Sequence, residues 1–179
     1  MNLDEAVIVA LGANLAGPAG PPIAALEAAL SRFPAAGLRV TARSGWWRSM
    51  AWPDPAQPEY LNGVVLVETA LEARAVLAAL HDIEAGFGRE RRRVNAARPL
   101  DLDLVAYGRL IVDEPGFSTP HPRAAERLFV MGPLAEIAPD WRHPSSGLSA
   151  RELAGRASVG LDACPVAEQA TGQTAEPPA

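Results

Sequence analysis

Two aspartates stand two positions apart in an apolar segment, Leu100-Asp-Leu-Asp-Leu104. If the segment is a strand, Asp101 and Asp103 point to one face, roughly 7 Å apart, while the leucines point to the other. Like charges on one face repel each other unless a cation lies between them, and two divalent ions suit such a pair. Carboxylate oxygens favour Mg²⁺. The pattern indicates a site for two magnesium ions, although the solvated polar face of an edge strand has the same spacing.

Arginine supplies all sixteen of the residues counted as Lys or Arg, and five of them fall within residues 89–98, just before the aspartate pair. Planar guanidinium groups bind phosphate oxygens in a bidentate manner. The absence of lysine excludes a Walker P-loop, a protein-kinase lysine and a lysine Schiff base. A solvated basic loop or an RNA-binding patch has the same composition, but the neighbouring carboxylates favour a magnesium-nucleotide site. The five residues are Arg89, Arg91, Arg92, Arg93 and Arg98.

Three further groups of residues could bind a ligand. His121 stands between two prolines, with Arg127 six residues later, and a histidine in such a rigid loop either makes a structural hydrogen bond or contacts a ligand. Asn62, near the start of a predicted strand, offers both a donor and an acceptor to a planar heterocycle. Aromatic residues upstream of it could stack on such a ring or pack in the core. These are Trp46, Trp47 and Trp52.

The chain has 179 residues, 49% of them hydrophobic, and a net charge of -5. This length and composition are typical of one globular domain rather than of a disordered, collagenous or membrane protein. The negative charge argues against a surface built throughout to hold nucleic acid. Cys164 is the single cysteine, and the apolar run at 6–11 is too short for a signal peptide or a membrane span. We therefore expect a cytoplasmic protein without nucleic-acid or membrane partners. A monomer that acts on small-molecule substrates is a separate expectation, which this composition does not decide.

The elements that would position these residues follow from the hydrophobic periodicity. Apolar residues at three- and four-residue spacing predict helices, and β-branched or alternating runs predict strands. The predicted order, β-α-β-β-α-β, is that of the split βαβ unit. We therefore predict an α+β fold, a ferredoxin-like sandwich of four strands with both helices on one face. The strands are predicted over 5–11, 38–48, 60–68 and 99–107, and the helices over about 22–33 and 76–87.

Smaller elements are predicted beyond Gly108. They are a short strand over 110–112, a loop around His121, and added helices over 124–137 and near 148–154. We expect these elements to be additions around a single core. From residue 156 onward Ala, Gly, Pro, Gln and Thr dominate, which predicts a disordered tail. The expected organisation is a single catalytic domain over 1–155, followed by a tail over 156–179.

Five motifs follow one another along the chain. They are Gly12-Ala-Asn-Leu15, Pro58-Glu-Tyr-Leu-Asn62, Ile83-Glu84 with Gly88-Arg89, Arg98-Pro-Leu-Asp-Leu-Asp103, and Pro120-His121 with Arg127. In this order they resemble the motifs of the 6-hydroxymethyl-7,8-dihydropterin pyrophosphokinases of folate biosynthesis. The resemblance covers roughly residues 6–155, and the fourth and fifth motifs together are too specific for chance agreement.

The resemblance implies a Mg-dependent diphosphokinase that transfers the β,γ-pyrophosphoryl group of ATP to the hydroxymethyl oxygen of the pterin and releases AMP. It implies that Asp101 and Asp103 hold two Mg²⁺, and that they are catalytic together with Arg89 and Arg98. The residues implied to bind ATP are Arg91, Arg98, His121 and Arg127, with Arg89 and Arg91 on a loop that closes over the nucleotide. The residues implied to bind the pterin are Ser49, Met50, Trp52, Tyr60, Asn62 and Phe129.

The chain departs from the family pattern at three places. Asn95-Ala-Ala-Arg98 stands where the family often has Trp-Gly-Pro-Arg, so an aromatic lid residue is missing. Closure over the substrates is expected either to be weaker or to use Trp46, Trp47 or Trp52 instead. Pro122 stands where a Tyr often follows the histidine, and Ala13 replaces the usual Ser. None of these changes touches the aspartate pair.

Two other functions share parts of this pattern. A two-metal nucleotidyltransferase can carry paired aspartates on the same kind of sheet, but it attacks the α-phosphorus of the nucleotide and releases pyrophosphate. A non-enzymatic RNA-binding sandwich would use the arginine-rich loop and would need solvent-facing aromatic residues on its sheet, where Asp101 and Asp103 would repel the RNA backbone. The identity of the released nucleotide separates these alternatives.

Overall fold

A computed structural model of the chain describes residues 2–87 and 100–167. The predictions made for Arg89, Arg91 and Arg98, and for the departure at 95–98, concern residues outside this range. Within the described residues, six strands form one sheet and two form a second. All of the pairings between the named strands are antiparallel. The predicted combination of helices with an antiparallel sheet is therefore confirmed.

In the main sheet, β1 Val7–Ala13 lies between β5 Asp101–Tyr107 and β4 Tyr60–Glu68. Strand β5 pairs with one edge of β1 and strand β4 with the other, and β4 also pairs with β2 and β3 on its far side. The short strand β8 pairs with β3 and ends the sheet there. The bounds are β1 Val7–Ala13, β2 Arg39–Arg43, β3 Trp47–Ser49, β4 Tyr60–Glu68, β5 Asp101–Tyr107 and β8 Cys164–Pro165. A separate hairpin joins β6 Val112–Glu114 to β7 Phe117–Thr119.

Within residues 2–87 and 100–167, four α-helices cover this sheet. They are α1 Pro22–Arg32, α2 Ala73–Ala85, α3 Leu128–Ile137 and α4 Ala150–Arg156. Proline at the first position of α1 is suited to a helix start, since its missing N–H would have no partner there. Helix α4 begins with a capping box in which Ser149 and Glu152 bind each other's backbone N–H groups. Among the described helices, none is both long and apolar enough to cross a bilayer.

One face of the sheet packs against α1 and α2. Alternate residues of a strand point to opposite faces, so Val9 and Val65 lie on this side, where they pack with Leu26 of α1 and Leu80 of α2. Leu100, Leu102 and Leu104 of the segment around β5 belong to the same core and are 4% exposed or less. The leucines of the alternating segment thus share one face of the strand, as predicted, and the structure shows that this face packs against the first two helices.

The other face of the sheet is buried as well. Ile8 and Leu66 lie in a second core with Met131 and Leu134 of α3 and Leu153 of α4. We expected the helices after residue 108 to be additions around a single core, and this expectation is wrong. Because β1 and β4 are apolar at nearly every position, both of their faces need a cover, and α3 and α4 supply the second one.

The predicted strand over 38–48 is interrupted. The pairing of β2 with β4 ends at Arg43, and that of β3 begins at Trp47. In the gap, the Ser44 hydroxyl accepts a hydrogen bond from the Val64 N–H at 3.0 Å, while the Ser44 N–H donates to the Val64 carbonyl at 3.0 Å. The Ser44 hydroxyl therefore takes the place of a backbone carbonyl as the acceptor for the Val64 N–H.

Strand β5 contains a bulge next to the aspartates. Ile8 is opposite Ala106 and Val9 is opposite Leu104, so Val105 has no counterpart on β1. The Val105 carbonyl instead accepts a hydrogen bond from the His121 N–H at 2.8 Å. The bulge thereby attaches the loop of His121 to the strand that carries Asp101 and Asp103.

Residues 157–167 differ from the tail predicted from residue 156. In the structure the Ser158 and Val159 N–H groups donate to the Glu126 carbonyl, and β8 pairs with β3. Backbone hydrogen bonds of this kind do not depend on apolar side chains, which is why composition does not reveal them. Residues 168–179 lie outside the described range.

Candidate active site

Ten of the predicted ligand-binding residues line one cavity of about 240 Å³ at the end of the sheet. They come from four parts of the chain: strands β3 to β4 with their connection, strand β5, the loop of His121, and the start of α3. The ten are Ser49, Met50, Trp52, Tyr60, Asn62, Asp101, Asp103, His121, Arg127 and Phe129. Five further lining residues are not among those predicted: Ala10, Leu11, Gly12, Gln57 and Val130.

Gly12 of β1 forms the floor of the cavity between two predicted site residues. It is opposite Asn62 on β4 and opposite Asp101 on β5. A Cβ atom at Gly12 would lie 3.4 Å from the Asn62 Oδ1 and 3.7 Å from a ring carbon of Tyr60. A larger side chain would fill the space between the amide and the carboxylate, so glycine keeps that space open.

The amide of Asn62 has a fixed orientation. Its Nδ2 donates a hydrogen bond to the Ser49 hydroxyl at 3.0 Å, and both residues are buried. Ser49 stands directly opposite Tyr60 in the pairing of β3 with β4. The two strands therefore hold an amide at a set angle, which is what recognition of the edge of a planar heterocycle requires.

The segment 50–59 forms one wall of the cavity. Asn14, just after β1, donates a hydrogen bond to the Pro58 carbonyl at 3.2 Å and is buried. Trp52 is 45% exposed at the cavity, and the Arg123 guanidinium lies 4.6 Å from the centre of its ring. Asn14 belongs to a motif recognised in the sequence, but only the structure shows that it holds this wall.

Trp46 and Trp47 do not line the cavity. The six-membered ring of Trp46 covers Gly63, where a Cβ would lie 2.6 Å from a ring carbon, and that of Trp47 covers Gly132 of α3 at a similar 2.5 Å. Both indoles donate to carboxylates, Trp46 to Glu27 and Trp47 to Glu136. Of the three tryptophans considered as a lid, Trp52 is the one at the cavity.

Asp101 and Asp103 lie on the cavity side of β5, half-buried, while Leu102 between them faces the core. The Leu102 N–H donates to the Glu84 carboxylate of α2 at 2.7 Å. Glu84 is 1% exposed. One edge of β5 pairs with β1. The Glu84 carboxylate binds the Leu102 N–H on the other edge of β5, and so fixes the strand at the residue between the two aspartates.

The donor set suits a hard cation that is only partly held by protein. Within the described ranges, no group of three or more His, Cys, Asp or Glu residues is placed to enclose a metal ion. Two carboxylates on one face of a strand provide oxygen ligands and leave most coordination positions to other oxygens. Magnesium is commonly held in this way, by one or two carboxylates together with substrate phosphates.

Burial and the cationic Arg127 and Arg123 together lower the pKa of the His121 imidazole to about 4, while Asp101 acts in the opposite direction. A pKa of about 4 makes the ring neutral at pH 7. Its Nδ1 accepts a hydrogen bond from the Arg123 N–H at 3.2 Å. The proton of the neutral ring is therefore on Nε2, which can donate to an anionic oxygen.

Arg127 and Phe129 stand at the start of α3, on the opposite wall. Burial lowers the pKa of the Arg127 guanidinium, whereas the charge of Asp103 raises it. Its Nε is buried without a hydrogen-bond partner in the structure. The guanidinium carbon lies 5.8 Å from the centre of the Phe129 ring. A cation and an aromatic face thus meet beside the aspartate pair.

An acidic pair, a buried guanidinium, a neutral imidazole donor and an oriented amide beside aromatic rings share one cavity at the end of an antiparallel sheet. These features are typical of an enzyme that transfers a phosphorus group to a substrate with a planar ring.

The comparison with known proteins gives the family. Residues 8–139 match the family model described as 7,8-dihydro-6-hydroxymethylpterin-pyrophosphokinase (HPPK). A 2-amino-4-hydroxy-6-hydroxymethyldihydropteridine pyrophosphokinase of Synechocystis is 40% identical over 147 residues, which is 82% of this chain and 73% of that protein. The enzyme of the same name from Pseudomonas aeruginosa is 39% identical over 140 residues, 78% of this chain and 85% of the relative. The chain belongs to the HPPK family.

Solved structures agree in fold. The crystal structure of Plasmodium falciparum HPPK-DHPS superposes with a TM-score of 0.64 at 11% identity, covering 84% of this chain. The chain spans 44% of that longer protein. At this identity the likeness concerns the fold alone, a combination of helices with an antiparallel sheet.

Proposed function

We propose that the cavity beside Asp101 and Asp103 is the active site at which this member of the HPPK family works. The chain transfers pyrophosphate to 6-hydroxymethyl-7,8-dihydropterin, a step of folate synthesis, with ATP as the co-substrate. The observation that supports this location is that the carboxylate pair and the Ser49–Asn62 amide line the same cavity. The products are the pterin diphosphate and AMP.

The pterin lies against β4 in this proposal. Asn62, oriented by Ser49, binds the polar edge of the ring, and Tyr60 and Phe129 contact its faces. Met50 and Trp52 enclose it from the segment that follows β3. Gln57, which the sequence motifs do not single out, lies in the same wall. The residue's amide offers both a donor and an acceptor, so it is a further candidate for a contact with the ring.

Two Mg²⁺ would be held by Asp101 and Asp103 together with phosphate oxygens of ATP. When bound, the ions would supply neutralisation of phosphate charge and acidification of the substrate hydroxyl. Arg127 offers its unpartnered buried Nε, and His121 its Nε2–H, to phosphate oxygens. Arg89, Arg91 and Arg98 are proposed to complete this set.

In the reaction, the hydroxymethyl oxygen forms a bond to the β-phosphorus as the bond from that phosphorus to the oxygen shared with the α-phosphate breaks. AMP leaves with the electron pair of that bond. The hydroxyl proton passes to Asp103 or to solvent. Positioning and charge neutralisation supply most of the rate enhancement in such a transfer.

The finer description of the fold as a ferredoxin-like sandwich is also a proposal. It is supported by the order of the strands. If β2 and β3 count as one interrupted strand, the four core strands lie in the order fourth, first, third, second. The packing of α1 and α2 against one face further supports it.

We further propose that the chain acts as a cytoplasmic monomer.

The test is to incubate the protein with ATP, Mg²⁺ and the pterin, and to separate the nucleotides. We expect AMP equal to the pterin diphosphate formed, no product when a chelator removes the metal, and loss of both products in Asp101→Ala. Asp113→Ala, on the β6–β7 hairpin, is the matched control and should keep full activity. Release of pyrophosphate without AMP would instead indicate nucleotidyl transfer. A folded protein with no pterin-dependent product would contradict the proposal.

A further inference from the structure

Residues 158–166 join the two walls of the cavity. At one end, the Leu128 N–H donates to the Val159 carbonyl at 2.9 Å, just before Phe129. At the other end, β8 pairs with Trp47 and Arg48, and the Val166 N–H donates to the Trp46 carbonyl at 2.8 Å. We call residues 158–166 the strap. It lies beyond residue 139, where the match to the family model ends.

The strap contacts Phe129 through a glycine. Gly160 has a φ of +68°, in the left-handed region that residues with a side chain rarely adopt. A Cβ on this residue would lie 2.4 Å from the Phe129 Cδ1 and 2.9 Å from its Cε1. The ring therefore lies directly against the backbone of the strap, and the position of the strap limits how far the ring can move away from the cavity.

The strap also holds the opposite wall. The carboxylate of Asp162 accepts a hydrogen bond from the Met50 N–H, at the point where the chain leaves β3. The turn between the two contacts is closed by the Ala163 N–H, which donates to the Gly160 carbonyl at 3.0 Å. Gly160 and Asp162 thus link Phe129 on one wall to Met50 on the other through a single tight turn.

We propose that the strap positions the aromatic and backbone walls of the pterin subsite, with Gly160 and Asp162 as its positioning residues. This inference rests on the proposed function, because it assumes that the pterin lies between Phe129 and the segment after β3. Within the strap, Val159 pairs with Arg127 on the nucleotide side of the cavity, whereas Gly160 contacts Phe129 and Asp162 binds the Met50 N–H. Changes at Gly160 and Asp162 should therefore alter binding of the pterin and leave binding of ATP unchanged.

The test compares Gly160→Ala with Gly147→Ala. Gly147 has a φ of +70°, and a Cβ added to it would meet nothing within 4 Å, so its variant carries the same backbone strain without the collision. We expect the pterin KM to rise about tenfold in Gly160→Ala, with the ATP KM within about twofold of the wild type. Gly147→Ala should lose similar thermal stability and keep both KM values.

Asp162 is tested by a conservative pair. Asp162→Ala removes the acceptor for the Met50 N–H and should raise the pterin KM about fivefold, the size of change expected for loss of one ordinary intramolecular hydrogen bond. Asp162→Asn keeps a carbonyl acceptor and should restore most of the affinity. If Gly160→Ala and Asp162→Ala match the Gly147 control in both KM values, the proposal is overturned.

A second measurement does not depend on turnover. Methionine labelled with ¹³C in its methyl group gives signals from Met1, Met50 and Met131 alone. The Met50 signal should shift in Gly160→Ala and Asp162→Ala, while the signal of Met131, buried in the second core, stays. An unchanged Met50 signal would refute the strap's role even if the enzyme is active. Absence of pterin-dependent AMP in the wild type would refute the proposed function, and the methyl spectrum would still decide on the strap.

Discussion

At the scale of single residues, the charge state of His121 governs how it can meet a phosphate. Burial is the largest cause of its low pKa, and Arg127 is the next. A neutral imidazole donates a hydrogen bond without adding charge, which leaves neutralisation of the nucleotide to the guanidinium groups and the metal.

We predict that an NMR titration of the free protein gives His121 a midpoint near pH 4, below its ordinary value of 6.5. Arg127→Met should raise the pKa, because a cation beside the ring disfavours protonation, yet keep it below 6.5, because burial remains. Arg39→Met, at the far end of the sheet, is the control and should change nothing. A wild-type midpoint at 6.5 would show that the ring is accessible to water.

A second prediction for a single residue concerns Arg98, which lies outside the described residues. An arginine that acts on charge in the transition state of phosphoryl transfer is worth roughly 10³ to 10⁵ in rate. We therefore predict that Arg98→Ala lowers kcat within that range and changes the Kd of the pterin by only about twofold. The exposed Arg151→Ala is the comparison. Unchanged turnover in Arg98→Ala would remove this residue from the catalytic set.

At the scale of elements, helix α2 holds strand β5 through a buried hydrogen bond as well as through their shared apolar core. The Glu84 carboxylate accepts from the Leu102 N–H, and Leu102 is 1% exposed. Movement of this part of the strand would change the separation of Asp101 and Asp103. The spacing of the aspartates thus depends on a side chain from the preceding helix.

Glu84→Ala should leave the buried Leu102 N–H without its acceptor and cost about 1–3 kcal/mol in the free energy of unfolding. We predict a fall in kcat as well, since the aspartates on either side would be less well held. Glu84→Gln keeps an acceptor and should recover most of both quantities. Glu72→Ala, at the exposed start of α2, should match the wild type. Equal losses in Glu84→Gln and Glu84→Ala would show that the negative charge, rather than the acceptor, is required.

The sequence predicts elements well where one pattern dominates. Strand β4 has the predicted bounds, 60–68, because a continuous β-branched and apolar run determines it. The interruption between β2 and β3 was not predictable, since it depends on a Ser44 hydroxyl that meets Val64 twenty residues away. The same reason applies to the site: the family resemblance implies ten of the cavity residues, whereas Gln57 and Gly160 acquire their positions only from tertiary contacts.

At the scale of the whole molecule, the sheet separates two cores of similar depth. Leu26 on the α1 side and Leu134 on the α3 side are both fully buried. If α3 and α4 were additions to a single core, shortening a buried side chain on their face of the sheet would cost little stability. The structure instead indicates that both layers are needed to fold the sheet that carries the site.

We predict that Leu26→Ala and Leu134→Ala each lower the free energy of unfolding by about 2–5 kcal/mol, the range found for buried leucines. Both should unfold in one transition in urea, monitored by tryptophan fluorescence and by circular dichroism. The exposed Ile111→Ala should change stability by less than about 0.5 kcal/mol. A cost for Leu134→Ala as small as that of the control would mean that the second core is not part of the cooperative unit.

The short strand β8 also affects how copies of the chain meet one another. An exposed sheet edge offers unpaired N–H and carbonyl groups on which another chain can add a strand, a common start of aggregation. Here the edge beyond β3 is occupied by two residues, and one of them, Pro165, has no N–H to donate. Cys164 and Pro165 therefore protect this edge of the sheet against pairing with another copy of the chain. A truncation before Cys164 would be expected to lower solubility before it affects the fold.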